Sequence, residues 1–552
     1  MLKTRPYLVS SVILMLLISL VGVSGVSAED EPDLPVTHQQ FSFLHGVFAD
    51  SSQGGFNLGN YRSPSSPICT TPTSSAANVN TDCEGLGIHN ETAIAVNPTN
   101  SLNQIGSAND YQVFFSSGGY AIVTVYSRAH VTFDGGQTWS EYPIKYNNYA
   151  ATGDTTLAFD ASGNAYLATL GFVWSQNRGC CTNPDILVAH SSDGGKNWTM
   201  PTRVAKGSGT FGSPGVLNDK EFLTAWGNGN AIVTWTPFNL GFKGGYISSP
   251  IYASVTHDGG NTWSKPNEIS GSAAFCIGAQ GGNACNQSQA SVPVVAADGS
   301  IYVTFINFAD PVTTGRDQYL VVKVDPNTGQ RVAGPYNVGL VYDGFTDYPF
   351  NIDGRQTYQD SQFRSWAVGN MAADPTNAAH LAVIWSDMRN GPATDPDPYN
   401  TTTNSDVIVS QSLDGGATWS APIAIAAAGD QFMPWGAYDT NGKLRIGYFD
   451  RSYDSANHKY GFTLASETSG GSLTFTFAQL TTALSDPTEN NFWFSGRTPN
   501  PAFPNPTTFL GDYSGIATYS GGVVALWTDL RETACINVFC GSGQDAFYGS
   551  HP

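Results

Sequence analysis

Three segments of the sequence carry an aspartate and an arginine directly after an apolar run. They read WSDMR at 385–389, YFDR at 448–451 and WTDLR at 527–531. A planar guanidinium pairs with a carboxylate through two parallel hydrogen bonds, so arginines grouped in this way suit a ligand that carries a carboxylate. The same residues also suit ion pairs that join neighbouring sheets and need no ligand. The segments therefore predict either a carboxylate-binding rim or a set of structural ion pairs.

A nine-residue motif occurs four times along the chain. The copies are TFDGGQTWS at 132, SSDGGKNWT at 191, THDGGNTWS at 256 and SLDGGATWS at 412. The aspartate is expected to accept N–H bonds of its own turn, the glycines permit positive φ, and the tryptophan packs between strands. Because the copies fall in separate repeats, we interpret them as motifs that stabilise β-hairpins rather than as catalytic or metal-binding groups. The motif residues are Asp134, Trp139, Asp193, Trp198, Asp258, Trp263, Asp414 and Trp419.

The motifs belong to a larger repeat that predicts the fold. Two apolar stretches separated by a Gly/Asn/Asp turn recur in seven units, which begin near residues 90, 153, 218, 289, 363, 430 and 509. Each unit has the length of a four-stranded antiparallel sheet with its loops, and repeats of this size predict an all-β propeller. We predict seven blades, with six blades and an irregular segment as the alternative. The last unit has about three strands, so QFSFLHGVF at 40–48 is the candidate strand that completes it.

The N-terminus and the composition restrict where the protein acts. Lys3 and Arg5 precede an apolar run at 7–23, and VSA at 26–28 ends in small residues. This layout predicts a secretory signal peptide over 1–28, with a retained membrane anchor as the alternative. The remaining chain divides into an N-terminal segment at 29–88 and the propeller at 89–552. A formal net charge of −20 with 12% charged residues disfavours nucleic acid and anionic membranes as partners.

The sequence contains eight cysteines, and none has the doubled C-x-x-C spacing of a structural zinc site. In an exported chain, we interpret the short-spaced cysteines as loop disulfides. The adjacent residues Cys180 and Cys181 have no assigned partner. The candidate disulfide cysteines are Cys69 with Cys83, Cys276 with Cys285, and Cys535 with Cys540.

The nine-residue motif resembles the Asp-box, also called the bacterial neuraminidase repeat. The chain as a whole resembles the sialidase-like β-propeller superfamily, in which the same motif occurs in sialidases, other glycoside hydrolases, receptors and non-enzymatic scaffolds. In such a propeller, the starts of first strands and the ends of second strands share one face, and the motifs lie on the opposite face. Charged residues occur at several of these starts, namely Glu91, Asp154, Asp219, Lys220, Glu221, Arg364, Asp430 and Asp512.

The resemblance also implies roles for individual residues. Sialidases hold the substrate carboxylate with three arginines, use an aspartate as acid/base, and use a tyrosine nucleophile activated by a glutamate. The fifth unit matches this pattern in outline, although Ser-Trp follows Phe363-Arg364 where sialidases have Ile-Pro. By resemblance, the substrate-binding candidates are Arg364, Arg389, Arg451 and Arg531, and the catalytic candidates are Asp395 or Asp397 and Tyr513.

These observations predict a secreted, sialidase-like propeller that acts on glycans, as an exo-glycosidase of acidic sugars. The alternative is a non-catalytic extracellular binding or scaffold protein with a degenerate sialidase site. The expected partner is accordingly a glycan or glycoconjugate, or an extracellular protein. The chemistry requires no cofactor, although the carboxylate-rich segment TDPDPYN at 394–400 could hold Ca²⁺.

Overall fold

The computed structural model describes residues 70–72, 78–82 and 88–552, with short gaps at 117–118, 147–148, 176–178, 210–212, 280, 393–394, 426–427, 490, 492–493, 495, 497, 499 and 537–538. The predicted signal peptide and the candidate strand at 40–48 lie outside the described residues. Within the described part, the helical structure is one 3-10 turn at Phe242–Gly244. None of the described helical structure is long and apolar enough for a membrane span.

The first half of the described chain forms three blades and two N-terminal strands. The N-terminal strands are β1 (Thr70–Pro72) and β2 (Asn78–Asn80). Blade 1 contains β3 (Ile88–Val96), β4 (Gln104–Ser116), β5 (Gly119–Thr132) and β6 (Thr138–Tyr142). Blade 2 contains β7 (Ala151–Phe159), β8 (Ala165–Ser175), β9 (Gly179–Ser191) and β10 (Thr202–Ala205). Blade 3 contains β11 (Gly215–Trp226), β12 (Asn230–Leu240), β13 (Tyr246–Ser248), β14 (Tyr252–Thr256) and β15 (Asn267–Glu268).

The second half forms four more blades. Blade 4 contains β16 (Ser288–Val295), β17 (Ile301–Phe308), β18 (Asp317–Val324) and β19 (Arg331–Leu340). Blade 5 contains β20 (Asn370–Ala373), β21 (Leu381–Asp387), β22 (Asp406–Ser412) and β23 (Ile423–Ala424). Blade 6 contains β24 (Gln431–Tyr438), β25 (Leu444–Asp450), β26 (Gly461–Glu467) and β27 (Phe475–Gln479). Blade 7 contains β28 (Gly515–Tyr519), β29 (Gly522–Asp529) and β32 (Asp545–His551), and its loop forms the hairpin β30 (Thr533–Ile536) and β31 (Phe539–Ser542).

The blades close into a ring, which confirms the predicted seven-bladed propeller. The innermost strands contact one another in sequence from β3 through β7, β11, β16, β20 and β24 to β28, and β28 contacts β3 again. The N-terminal strand β2 pairs with β32 and forms the outer edge of blade 7. The strand β1 pairs with β6 and adds a fifth strand to blade 1. The N-terminal segment therefore joins the last blade to the first.

Aromatic packing between blades supplies much of the core. The second strands are apolar on both faces, as in IYVTFINF of β17 and LAVIWSD of β21, because a neighbouring blade covers each face. Trp385 lies 5.2 Å from the ring of Tyr319 on the preceding blade. Trp527 stacks at 5.1 Å on Phe462 of blade 6. These contacts bury large rings at the blade interfaces and so stabilise the ring as a whole.

The four motif loops lie between the third and fourth strands of blades 1, 2, 3 and 5. In the first copy, Asp134 Oδ1 accepts the backbone N–H groups of Gln137 and Thr138 at 3.0 and 2.9 Å. Gly135 and Gly136 adopt φ values of 75° and 92°. In all four copies the tryptophan Nε1–H donates to the carbonyl of the second glycine. The expected hairpin geometry is therefore present in each copy.

One predicted disulfide is confirmed, between Cys276 and Cys285. In the β30–β31 hairpin, the strand register places Cys535 opposite Cys540, and Cys540 is disulfide-bonded. The residues Cys69 and Cys83 lie outside the described residues.

Candidate active site

Bulges at the starts of the innermost strands position the charged residues on the propeller axis. The strand register shifts near these starts in five blades, between Asn90 and Ala93 in blade 1 for example. A bulge bends its strand and re-aims one side chain, and such residues tolerate left-handed backbone only when their surroundings fix it. The left-handed residues at these bulges are Glu91 (φ 55°), Asp154 (57°), Lys220 (48°), Ala290 (55°) and Met433 (48°).

Lys220 is the centre of a buried ion cluster built by five blades. Its Nζ lies 3.1 Å from Glu91 Oε1, 2.9 Å from Asp154 Oδ2 and 2.7 Å from Asp512 Oδ2. Arg364, which precedes β20, binds Asp512 through Nε at 2.6 Å and through Nη2. Residues from blades 1, 2, 3, 5 and 7 thus meet at one point on the axis.

The groups of this cluster differ in how readily they ionise. Burial opposes ionisation of Asp512, but Arg364 and Lys220 outweigh it and hold the pKa of Asp512 well below its usual range. Burial would lower the pKa of Lys220, but the surrounding carboxylates raise it well above its usual value. The pKa of Glu91 is raised by burial and by Asp154. The cluster therefore contains firmly charged Lys220 and Asp512 beside a carboxyl group that prefers its proton.

A pocket of about 90 Å³ adjoins this cluster at Arg364. Pockets that enclose a whole small-molecule ligand measure roughly 300–1,000 Å³, so this pocket suits one charged ligand group rather than a large ligand. Its wall contains both cations and carboxylates together with aromatic rings. The lining residues are Phe308, Gly315, Asp317, Asp343, Phe345, Arg355, Gln356, Arg364, Ser365 and Trp366.

Arg355 is a buried cation in this pocket, and within the described part of the chain it forms no ion pair. Only 9% of the residue is exposed, and its Nη2 has no hydrogen-bond partner. None of the ion pairs among the described residues involves Arg355. Burial, with a smaller contribution from Arg364, lowers the pKa of Arg355 to about 9. A guanidinium in this state is still positive at neutral pH and has a donor group free for an anionic ligand.

Two carboxyl groups face the same pocket. The pKa of Asp343, which is 7% exposed, is raised to about 7, mainly by burial and further by Asp387. Burial and Asp343 raise the pKa of Asp317 well above its usual range. The backbone N–H of Asp317 donates to Asp343 Oδ1 at 3.0 Å, which holds the two groups together. Such a pair retains a proton near neutral pH and is equipped for general acid catalysis.

The three arginines of the D-x-R and D-R segments do not converge. Arg389 pairs with Asp387 at 2.7 Å, and its Nη2 donates to the carbonyl of Leu340 on blade 4. Arg531 pairs with Asp529 at 2.7 Å and donates to Thr481 and Thr482, which follow blade 6.

Arg451 is fully buried; it pairs with Asp430 at 3.3 Å and donates to Ser361 Oγ at 2.8 Å. Each of the three arginines therefore joins its own blade to a preceding segment, which is the structural alternative that the sequence left open.

The predicted catalytic residues occupy two different environments. Tyr513 lies in the ion cluster, where its hydroxyl donates to the carbonyl of Thr155 at 3.2 Å. Burial, then Glu91 and Asp154, raise the pKa of Tyr513 well above its usual value. Asp395 and Asp397 lie in an exposed loop, where Asp395 accepts the N–H of Asp397 and Asp397 accepts that of Tyr399. Of the predicted site residues, Arg364 and Tyr513 are thus brought together on the axis.

Sequence reasoning did not find Asp317, Asp343, Arg355 or Trp366. Three of them lie in the connection between blades 4 and 5, at 341–369, which carries no repeat pattern. The one sequence signal was the length of that connection, because long connections in compact domains commonly carry function.

No protein-family model and no curated protein matches the chain. The chain is similar in structure to a protein of unknown function from Dyadobacter fermentans, with a TM-score of 0.45, 11% identity, and coverage of 87% of this chain and 99% of that one.

Two of the other similar structures are named enzymes. The GH93 α-L-arabinofuranosidase of Fusarium graminearum gives a TM-score of 0.39 at 11% identity, over 87% of this chain and 98% of that one. The NanB sialidase of Streptococcus pneumoniae also gives 0.39 at 11% identity, over 87% of this chain and 70% of that one.

Proposed function

We propose that this protein is an exported, sialidase-like propeller that acts on glycans and binds the carboxylate of an acidic sugar in the pocket beside Arg364. The observation that carries the proposal is Arg355, a buried guanidinium with an unpartnered Nη2 in that pocket. A carboxylate bound there would supply the missing counter-ion and accept charge-assisted hydrogen bonds. Trp366 offers an apolar face for the sugar ring on the same wall.

The reaction that suits this pocket is hydrolysis of a glycoside. Asp343 would hold a proton up to a pH of about 7 and would donate it as general acid to the leaving-group oxygen while the bond from the anomeric carbon to that oxygen breaks. A water molecule would add to the anomeric carbon and lose a proton, which balances the hydrolysis. Asp317 lies beside Asp343 and would keep Asp343 protonated, because two neighbouring negative charges are unfavourable. Arg355 would orient the substrate by its carboxylate, so that the glycosidic bond points at the acid.

A second candidate function is binding without hydrolysis. It is favoured by Tyr513, whose raised pKa and hydrogen bond to Thr155 leave it a poor nucleophile. It is also favoured by the internal pairing of Arg389, Arg451 and Arg531. In this case the partner would be an acidic glycan or an extracellular protein that presents a carboxylate to Arg355.

The decisive substitution is Arg355→Met, which removes the guanidinium and retains an unbranched side chain. We expect wild type to hydrolyse at least one 4-methylumbelliferyl glycoside of a sialic or uronic acid, and not the arabinofuranoside. Loss of one charged hydrogen-bonding group predicts a fall in kcat/KM of about tenfold to a hundredfold in the variant. Fluorophore release measures hydrolysis, and calorimetric titration with the free acidic sugars measures binding.

Arg331→Met is the matched control, because Arg331 is an exposed arginine of β19 outside the pocket. If wild type binds an acidic sugar without hydrolysing it, and only Arg355→Met loses that binding, the second candidate function is supported. If wild type neither binds nor hydrolyses any acidic sugar, or if both variants behave alike, the carboxylate pocket is refuted.

A further inference from the structure

Exposed apolar side chains are concentrated on one part of the propeller face that carries the pocket. This face contains the starts of first and third strands, the ends of second and fourth strands, and the loops that join them. Within the described part of the chain, all of its large exposed apolar residues lie between residues 242 and 352, in blades 3 and 4 and the connection to blade 5. We name the loop group the apolar patch, made up of Phe242, Ile247, Phe275, Ile277, Val312 and Ile352.

The apolar patch begins at the pocket itself. Val312 is 70% exposed and lies in the β17–β18 loop, which also contributes Gly315 to the pocket wall. Ile352 is exposed as well and lies three residues before Arg355 in the connection between blades 4 and 5. Apolar side chains are therefore supplied by two of the segments that build the pocket.

The loop between β15 and β16 continues the apolar patch toward blade 3. The carbonyl of Phe275 accepts the side-chain N–H of Gln318 at 3.0 Å, and the carbonyl of Ile277 accepts that of Gln287. The carbonyl of Gln287 in turn accepts the backbone N–H of Phe308, a residue of the pocket wall, at 2.9 Å. A disulfide also closes this loop. The loop is thus attached to the strands that form the pocket.

Phe242 extends the apolar patch farther out on blade 3. It is the most exposed large apolar residue of the described chain, at 85%. Its turn is closed by the backbone N–H of Gly241, which donates to the carbonyl of Gly245 at 2.6 Å. The segment after the turn joins the β15–β16 loop, since the N–H of Ser249 donates to the carbonyl of Asn286 at 2.7 Å. The fold therefore holds this ring in solvent, where it gains nothing from burial.

The chemistry of the apolar patch indicates what it can bind. The chain has a net charge of −20, yet residues 269–287 contain no charged residue and residues 240–249 contain Lys243 alone. A saccharide chain needs hydrogen-bonding groups, which isoleucine, valine and phenylalanine side chains do not supply, whereas an alkyl chain needs apolar contact only. Exposed apolar patches on soluble proteins commonly mark binding surfaces. The patch accordingly suits an alkyl group.

We propose that the apolar patch binds the leaving group of the substrate, and that this leaving group carries an alkyl chain, as in a glycolipid. The inference rests on the proposed function, which places the substrate carboxylate at Arg355. The pocket of about 90 Å³ has room for that charged group alone, so the leaving group crosses the surrounding surface. On the side of blades 3 and 4 that surface is the apolar patch, where burial of alkyl carbons adds affinity.

The test compares the methyl and octyl glycosides of one acidic sugar, first sialic acid and then glucuronic acid, below the critical micelle concentration of the octyl compound. Each fully buried CH₂ group strengthens binding about fourfold. Partial burial of the octyl chain therefore predicts binding to wild type at least about tenfold tighter than that of the methyl glycoside. Calorimetric titration measures binding, and release of the sugar measures hydrolysis.

Phe242→Ser and Val312→Ser each remove one side chain that the fold leaves exposed, so both variants should fold. We expect each to lose at least about threefold of the preference for the octyl glycoside and to bind the methyl glycoside as wild type does. Phe477→Ser is the matched control, because Phe477 is an exposed phenylalanine of β27 in blade 6. It should retain the full preference.

Equal binding of the methyl and octyl glycosides by wild type overturns this inference and leaves the proposed function intact. An unchanged octyl preference in both patch variants also overturns it. So does dimerisation that depends on Phe242 without any octyl preference, because a second copy of the chain then covers the patch.

Octyl β-glucoside, which has no carboxylate, separates the two proposals. If it binds in a Phe242-dependent manner while neither acidic glycoside binds more tightly than its neutral counterpart, the proposed function is refuted and the apolar binding surface is supported.

Discussion

Asp343 and Arg355 differ from ordinary surface residues because each is buried without a full counter-charge. Burial raises the pKa of the acid to about 7 and lowers that of the base to about 9. In the free protein the two groups cannot neutralise each other, since Arg355 forms no ion pair within the described residues. A ligand carboxylate would pair with the guanidinium of Arg355 and leave Asp343 protonated. Perturbed groups that share a pocket in this way are typical of functional sites.

The raised pKa of Asp343 predicts a pH dependence of stability. Between the unfolded pKa of about 4 and the folded value, the folded protein binds more protons, so stability falls as pH rises, by at most about 1.4 kcal/mol per pH unit. Asp343→Asn mimics the protonated acid and removes this contribution. From pH 4 to about pH 7 we therefore expect the free energy of unfolding of the variant to increase relative to that of wild type, and the difference to level off at higher pH. Urea titrations at each pH measure the difference.

Asp298→Asn is the control for that experiment, because Asp298 is exposed and its carboxylate accepts a hydrogen bond from the backbone N–H of Ser300, which lowers its pKa. The free energy of unfolding of Asp298→Asn should not increase relative to that of wild type as pH rises. Since Asp317 shares the site, the profile belongs to the pair of carboxyl groups. Parallel profiles for wild type and Asp343→Asn would show that the acid is not protonated near neutral pH.

Residue positions were predictable from the sequence only where a repeat marked them. Arg364 and Tyr513 stand at unit starts, and the ring brings unit starts together on the axis. The arginines at 389 and 531 stand two residues after an aspartate, and that local spacing already favours the pairing with Asp387 and Asp529. Arg355 has no such marker, because its burial depends on how a long connection packs against blade 4.

At the scale of elements, the motif hairpin was the most predictable feature. Its hydrogen bonds are local, so the nine residues determine them wherever the motif occurs. The ring-closing strand was less predictable, because Asn-Val-Asn at 78–80 has no periodic pattern and is defined by its pairing with β32. The environment of each hairpin also differs, since each tryptophan packs against a different neighbouring blade.

That difference predicts unequal effects of one substitution at equivalent positions. Gly136 and Gly416 are the second glycines of their motifs, with φ values of 92° and 83°. A Cβ at Gly136 would overlap the ring of Tyr548 on blade 7, whereas a Cβ at Gly416 would lie 3.5 Å from its nearest atoms. We expect Gly416→Ala to cost about 1 kcal/mol from backbone strain, and Gly136→Ala to cost about 2 kcal/mol more.

Denaturant unfolding of both variants measures this comparison, and each serves as the control for the other. Equal losses would mean that Tyr548 moves aside at no cost and that the contact between blades 1 and 7 does not restrict the hairpin.

At the scale of the molecule, repeat spacing predicted the seven blades because every unit contributes the same sheet. The spacing did not predict which side chains meet on the axis, since that depends on bulges that turn single residues inward. The ring brings Glu91, Asp154, Lys220 and Asp512 together although they are far apart in sequence. The cluster is therefore a property of circular closure and belongs to no single blade.

Lys220→Met tests whether this cluster holds the ring together. The substitution leaves three buried carboxylates facing one another, and the loss of one partner from a buried ion pair costs about 3–5 kcal/mol. Protonation would relieve the repulsion, so the loss should be smaller at pH 5 than at pH 8. Lys459→Met is the control, because Lys459 is 45% exposed and pairs with Asp486 at the surface, where such a pair contributes at most about 1 kcal/mol. Thermal unfolding at both pH values measures the difference, and an equal, small effect of the two substitutions would show that the blades close without help from the axial charges.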